Sequence, residues 1–389
     1  MPVTAHEKLV NKLVKNTVDL ERVHEGLQGK VYSLLKKTEK GIISQIINND
    51  PTYPMATTWK KKRMLKLLAN VNDVVDGGYS DIKKVTVGEL KKLGKVQAVS
   101  ITQDINQIIG VDVLDVTLTP QNLEAIVSTT LIDGQTIGKW WDENKKGFKT
   151  KFAREMNDAM EQVQLGLVRG ESIGELIRRV RGGTGLPGMM VNAKREATAL
   201  VRTSVMQTAN ESRKAVYKAN EDLIKGYEVI ATLDRRTTPI CRALDRKLFD
   251  KDFKPIGHDI RYPGGPPFHW SCRSTIVPLL KSYSELAGPK STLKKSQIKK
   301  LDKLDGSHRA SMNYIIKDGE IVDQTGAVIK GATNYDQWLK GQPKVVQLDV
   351  LGPGRHKLWQ ENKLSMADMV NQKGRALTIE QLEKKVGVE

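Results

Sequence analysis

"IKGYEVIATLDRRTTPICRALD", residues 224–245, is where the chain changes character. Ile224, Tyr227, Val229, Ile230 and Thr232 give its first half the β-branched and aromatic content of a strand. Before it the chain reads mainly as helix, with breaks and a β-branched stretch at "VDVLDVTL" (111–118). After it come short irregular segments with Gly and Pro, as far as "CRSTIVPLL". The change predicts an α+β fold: a long, mainly helical N-terminal region (1–190), a small α+β module (191–285), and a basic linker with a mixed C-terminal tail (286–389).

Upstream, residues 5–48 predict one helix, with Leu20, Val23, Leu27, Val31 and Leu34 at three- and four-residue steps on one face. "NNDPTYP" (48–54) breaks it, and a second, basic helix follows in "TTWKKKRMLKLLANVNDVV". "DGGYSD" (76–81) reads as a turn, and 88–114 as mostly helical. Thr119 and Pro120 mark a further helix start as N-cap and first helical residue. Two or three helices are expected as far as "RRVRGG", then a loop at 183–190 and a long helix over 192–222. Residues 289–304 carry six lysines against one aspartate, which reads as a solvated connector. In the tail, "EIVDQTGAVI" suggests a hairpin. "NYDQWLKGQP" and "SMADMVNQ" suggest short helices, and Thr378 caps another.

The 389 residues suffice for two or three domains, and 39% hydrophobic with only 5% aromatic content suits a helix-rich protein with much solvated surface. A formal charge of +18 favours polyanionic partners, above all nucleic acid. The basic clusters are Lys60, Lys61, Lys62, Arg63 and Lys66; Arg178, Arg179 and Arg181; and Lys290, Lys294, Lys295, Lys299 and Lys300. Singly each is a solvated helix face; together they suit sequence-independent contact with double-stranded DNA. The N-terminus lacks the apolar core of a signal peptide, and no apolar run approaches the about 20 residues of a membrane span. A membrane partner is therefore not expected. There is no Gly-rich phosphate loop, GxGxxG or HExxH to support an NTPase, a dinucleotide enzyme or a zincin.

The chemistry-bearing residues gather near "PPFHWSCRS", residues 266–274. Cys241, His258, His269 and Cys272 could together make a Cys₂His₂ zinc set. Only His269-x-x-Cys272 has ligand-pair spacing; position 238 is Thr, so Cys241 has no Cys-x-x-Cys partner. A catalytic Cys/His pair is disfavoured, because such partners are usually distant in sequence. With two cysteines and a reducing compartment, the spacing favours a metal-free clasp with two free thiols and no cofactor, zinc being the alternative.

Residues 199–278 resemble the phage Mu F-like minor head proteins, the head morphogenesis family. Arg202, Thr203, Asn210 and Tyr217 match the family's helix. Asp234, Arg236, Thr237, Cys241, Asp245, Pro266, Pro267, His269, Cys272 and Arg273 match the segments that follow. "GLVRGESIGELIRRVRG" ahead of this set, and "YDQWLKGQPKVVQLDVLGPGRHKLW" with "LTIEQL" behind it, are also similar to members of the family. Three positions depart: Ser204 stands where an acid is common, and Thr238 and Ser274 stand where cysteines are. The matched residues are expected to be structural, with His269 and Arg273 tying the closing strand to Asp234 or Asp245.

The resemblance implies a non-enzymatic minor capsid protein, made in the host cytoplasm and incorporated in the virion inside the capsid near the portal. It implies a role in procapsid assembly and in DNA packaging or ejection. Portal, scaffold or major capsid protein are the implied partners, and the helical region is the part that would meet portal or scaffold. The alternative is a phage-encoded modifying enzyme or toxin carried on the same module, because "RTS" at 202–204 is similar to the Arg-Ser of ADP-ribosyltransferases. Against it, the tail shows no acid-rich catalytic motif or nucleotide loop. A free DNA-binding regulator would need a reading helix and dimer signals, and neither is visible.

Overall fold

The computed structural model describes residues 4–48, 57–114, 118–164, 173–183, 187–318, 320–322, 333–361 and 364–387. In chain order the helices before the sheet are α1 (Ala5–Asn48), α2 (Thr57–Ile109), α3 (Pro120–Val127), α4 (Ile137–Gln164), α5 (Ile173–Arg181) and α6 (Met189–Ala219). Then come β1 (Ile224–Ile230), α7 (Pro239–Leu244), β2 (Leu248–Asp250), β3 (Pro255–Ile256) and β4 (Thr275–Leu280). The remainder holds α8 (Tyr283–Ala287), α9 (Lys295–Leu301), α10 (Gly306–Ser311), β5 (Ile315–Lys317), β6 (Glu320–Val322), α11 (Tyr335–Lys340), α12 (Lys344–Glu361) and α13 (Ile379–Val386). The fold is α+β, as the sequence predicts. No helix among the described residues is long and apolar enough to cross a membrane.

Two compact units share the chain. One comprises Met1–Leu20, Gly94–Pro120 and Ala209–Glu389; the other comprises Glu21–Leu93 and Gln121–Thr208.

The second unit is helical. Helix α1 runs over the expected residues, but its buried stripe is Leu20, His24, Leu27, Val31, Leu35, Thr38, Ile42 and Ile46. The three-and-four stepping therefore passes through His24 and Leu35, and Val23 is 41% exposed. The turn expected at "DGGYSD" is absent: α2 runs unbroken through Gly77 and Gly78. Packing explains the second glycine. A Cβ on Gly78 would lie 2.0 Å from Thr38 Oγ1, and one on Gly41 would lie 2.8 Å from Val74 Cγ1, so small residues let α1 and α2 approach closely.

The first unit is built on a four-stranded antiparallel sheet of order β3–β2–β1–β4. Gly226 in β1 faces Asp250, where a Cβ would sit 2.3 Å from Phe249 O. Strand β4 lies at the sheet edge, which tolerates the missing N–H of Pro278 opposite Tyr227. Every residue of β4 is nonetheless buried. The core beside it gathers Leu9 and Leu13 of α1, Ile101, Ile105 and Ile109 of α2, Val216 and Tyr217 of α6, and Val229, Phe249 and Ile276 of the sheet.

One residue ties these pieces together by polar contact. Arg213 of α6 is 1% exposed. It donates to Thr275 Oγ1 in β4 at 2.7 Å, to Gln97 Oε1 in α2 at 2.7 Å, and to Asn16 Oδ1 in α1. Thr275 Oγ1 in turn donates to Asn210 Oδ1 at 2.8 Å. A second buried link joins His6 of α1 to Glu228 of β1 at 2.6 Å, and Arg246 holds the other oxygen of Glu228 at 3.0 Å. Arg246 adopts φ +64°, a conformation that favours glycine, and its ion pair offsets that strain.

The stretch 289–304 is more than a connector. It contains α9, and Leu293, Leu301 and Leu304 are buried in the sheet-side core while the lysines face out. The tail hairpin pairs β5 with β6 across Lys317 and Glu320, upstream of the expected position; residues 323–329 of that expectation lie outside the described residues. Helix α11 and the 3₁₀ turn Met366–Met369 match the two short helices expected, and Thr378 accepts from Gln381 N at the start of α13.

The glycine pair yields a direct comparison. Gly77→Ala, with nothing within 4 Å of the new Cβ, is expected to stabilise by up to about 1 kcal/mol through helix propensity. Gly78→Ala is expected to destabilise by about 1–3 kcal/mol through overpacking. Chemical denaturation of both variants, followed by helix circular dichroism, measures the difference.

Candidate functional site

The family-like residues converge where β1 ends, α7 begins and the segment before β4 returns. Beyond β1 the chain turns on Asp234, whose Oδ1 accepts from Arg236 N at 2.9 Å and from Thr237 Oγ1 at 3.2 Å. Thr238 then precedes α7 and Pro239 occupies its first turn, where a missing N–H costs nothing. Arg273 closes on Asp234 with two bonds, Nη1–Oδ2 at 2.5 Å and Nη2–Oδ1 at 2.8 Å. Of the two acids expected for Arg273, it therefore takes Asp234. Burial pulls the Asp234 carboxyl up, but the Arg273 guanidinium, the Arg236 amide and the Thr237 hydroxyl hold it below the ordinary carboxylate value.

Asp245 serves a different purpose. It is buried, with Oδ1 accepting from Ala231 N at 2.8 Å and Oδ2 from Tyr335 N at 2.7 Å. Burial pushes its carboxyl up to about 7, against the pull of the two backbone amides. Tyr335 also donates from its hydroxyl to Asp234 O at 2.8 Å, and Arg242 of α7 donates to Val350 O at 2.9 Å. The tail thus docks on both acids of the motif.

His269 contacts neither acid. Its Nε2 lies 3.1 Å from Cys241 Sγ, and its Nδ1 lies 2.8 Å from Trp270 O. Cys241 Sγ and Cys272 Sγ are 3.7 Å apart, both side chains are buried, and both are free thiols. The Cys272 thiol is pushed down, first by its hydrogen bond to Cys241 and then by His269; the Cys241 thiol is pushed up by the same partner and by burial. Burial lowers the His269 imidazole, but its contact with Cys272 outweighs this and raises it. His258, the remaining candidate ligand, lies apart: Nε2 meets Leu248 O at 3.0 Å and Nδ1 accepts from Ile260 N at 3.2 Å. The candidate metal set therefore narrows to Cys241, His269 and Cys272.

On α6, Arg202 pairs with Glu21 at 2.7 Å, and Thr203, Ser204, Asn210 and Tyr217 are fully buried. Thr203 Oγ1 donates back to Ala199 O at 2.8 Å. Asn210 Nδ2 donates to Ser274 O at 3.3 Å, which anchors the closing strand. Sequence reasoning missed Arg213, Arg242 and Tyr335. Arg213 was reachable, because it shares a helix face with Asn210 and Tyr217 at three- and four-residue spacing.

The basic candidates separate by what they touch. Arg179 pairs with Glu155, and Arg181 with Glu39 at 3.0 Å. Lys300 is exposed and donates to Asp112 O at 2.6 Å. Lys62, Arg178, Lys290, Lys294, Lys295 and Lys299 are exposed, and none of them forms an ion pair among the described residues. The side chains of Lys60, Lys61 and Arg63 lie outside the described residues.

Two measurements probe this motif. Arg273→Ala should cost about 1–3 kcal/mol, because it strands a half-buried carboxylate whose partial exposure limits the loss. Limited proteolysis should then cut between 245 and 270 while helix content changes little. For Asp245, a folded pKa near 7 against an ordinary value of 3.8 means that the folded chain holds the proton longer. Its contribution to stability is full below pH 4 and is lost as pH rises towards and through 7. Asp245→Asn should flatten the stability profile across that window in denaturation at several pH values.

No curated protein and no solved structure matches the chain. Residues 157–277 match the family model described as "Phage Mu protein F like protein". That span ends within β4, and it includes Asp234, Cys241, Asp245, His269, Cys272 and Arg273. The segment that folds around these residues therefore matches a phage Mu F-like domain, the domain of a phage head morphogenesis family.

Proposed function

We propose that this is a minor head protein of a tailed phage, located inside the capsid near the portal. It acts in procapsid assembly and in DNA packaging or ejection. The observation that carries this reading is the Mu F-like match over 157–277. The motif residues support a structural role. They are spent on one another and on backbone groups: Arg273 on Asp234, Asp245 on two amides, and Asn210 on the strand that follows. A protein built this way serves assembly rather than turnover. Portal, scaffold or major capsid protein are its partners, with duplex DNA as a sequence-independent one.

The DNA part of the reading rests on charge. The formal charge is +18, and Lys290, Lys294, Lys295 and Lys299 stand exposed in and beside α9 with no ion pair among the described residues. Lysines presented this way release counterions from phosphates without reading bases.

Duplexes of unrelated sequence should bind alike at low salt. If four phosphates are neutralised, affinity should fall by about 100-fold between 50 and 200 mM salt. Replacing the four lysines with alanine should flatten the log–log salt slope by about 3–4. Absence of binding at low salt, or binding indifferent to salt, removes DNA from the list of partners. A strong preference for one sequence makes the protein a regulator instead. Co-purification with DNA-filled heads and portal tests the location separately; recovery only in the soluble fraction of infected cells overturns it.

A further inference from the structure

We propose that Cys241, His269 and Cys272 form a three-ligand zinc site that joins α7 to the segment preceding β4. The inference rests on how three soft donors are held, and it is independent of the assembly role.

Spacing comes first. A tetrahedral zinc with metal–sulfur bonds of about 2.3 Å separates two thiolate sulfurs by about 3.8 Å. Cys241 Sγ and Cys272 Sγ are 3.7 Å apart. A disulfide needs about 2.0 Å, so the pair stands at a metal-bridged separation rather than a bonded one. With a zinc–nitrogen bond of about 2.0 Å the sulfur–nitrogen edge is about 3.5 Å. Cys241 Sγ to His269 Nε2 is 3.1 Å, so a shift of a few tenths suffices. All three donor atoms fall within 4.8 Å of one another.

The imidazole is in the right tautomer. A carbonyl only accepts, so the Nδ1 facing Trp270 O carries the hydrogen, and the lone pair of the neutral ring sits on Nε2, beside the sulfurs. Metal-ligating histidines are oriented in this way by a carbonyl or carboxylate on the far nitrogen. The backbone holds the pair from behind: Cys272 N donates to His269 O at 3.1 Å, closing the turn that sets both side chains on one side. Cys241 arrives from α7, on the other.

Charge and burial also fit. Cys241 and Cys272 are 2% and 0% exposed. A lone thiolate there is costly to bury, whereas zinc with two thiolates carries no net charge. The fourth position faces a cleft with room for about 20 Å³ of water, bordered by Thr237, Ser271 and Ser274. The Ser274 and Thr238 hydroxyls lie beside Cys241. A water in the cleft or one of these hydroxyls completes the tetrahedron.

The test uses the full chain, kept reduced, stripped with a chelator and dialysed against excess zinc or cobalt(II). The expected result is one metal per chain by elemental analysis. Bound cobalt should show thiolate-to-metal charge transfer and the intense visible bands of a tetrahedral site. Both thiols should resist a thiol reagent until the metal is removed. Metal content should fall to near zero in Cys272→Ser and stay at one in His258→Ala, since His258 is engaged elsewhere. If Cys272→Ser does not fold, stoichiometry and thiol protection in the unaltered chain decide alone. A folded chain that takes up no stoichiometric metal and exposes two reactive thiols overturns the site. So does a Cys241–Cys272 disulfide that persists under reductant, or metal retained in full by Cys272→Ser.

Discussion

Arg213 places a guanidinium where water cannot reach it and surrounds it with neutral oxygens from a threonine, a glutamine and an asparagine. Burying a cation without a carboxylate partner costs several kcal/mol, and the cost falls only if every donor is met. Burial accordingly pulls the Arg213 pKa down from its ordinary value. The acceptors come from positions 16, 97 and 275, so the start of α1, the end of α2 and β4 must all be in place together. This constraint explains why a unit containing a small sheet is assembled from three separate stretches of chain. An apolar residue at 213 would fill the space without specifying which segments meet there. The guanidinium makes the arrangement selective, because a wrong partner leaves a buried N–H unmatched.

The same logic runs through the family motif. Asp234 and Asp245 look equivalent in the sequence, yet one holds a cation and the other holds two backbone amides. The difference lies in what reaches them. Asp234 sits at a turn, open enough for Arg273 to approach edge-on. Asp245 follows α7 and is roofed by the tail, which supplies an amide from Tyr335 and excludes solvent. Neither environment is a property of the residue; each is made by segments distant in the chain.

That distance marks the limit of what the sequence discloses. Periodicity gave α1, the cap at Thr119 and Pro120 gave α3, and the β-branched run gave β1, because each of these is a local property. The paired glycines of α2 were misleading: glycine signals a turn through its own freedom, but Gly78 is set by its neighbour Thr38. Lysine density hid α9, whose leucines show their purpose only once the core beside them is known. In the site, the convergence of Arg273, Cys241, His269 and Cys272 was legible from the ordered motif. His258 looked like a fourth ligand from spacing alone, although its ring nitrogens are engaged with Leu248 and Ile260. Arg213, Arg242 and Tyr335 went unseen because their partners lie up to 197 residues away.

The bond from Tyr335 to Asp245 spans 90 residues. During synthesis at about 5–20 residues per second, Asp245 therefore waits on the order of 5–20 seconds for its second partner. Until then one carboxylate oxygen of a residue destined for the interior has only water to satisfy it, and the sheet-side core lacks its roof. The motif closes only once the chain has been made past Tyr335. Such a delay acts as a timer: the motif of a nascent molecule stays open until the chain has been made past residue 335.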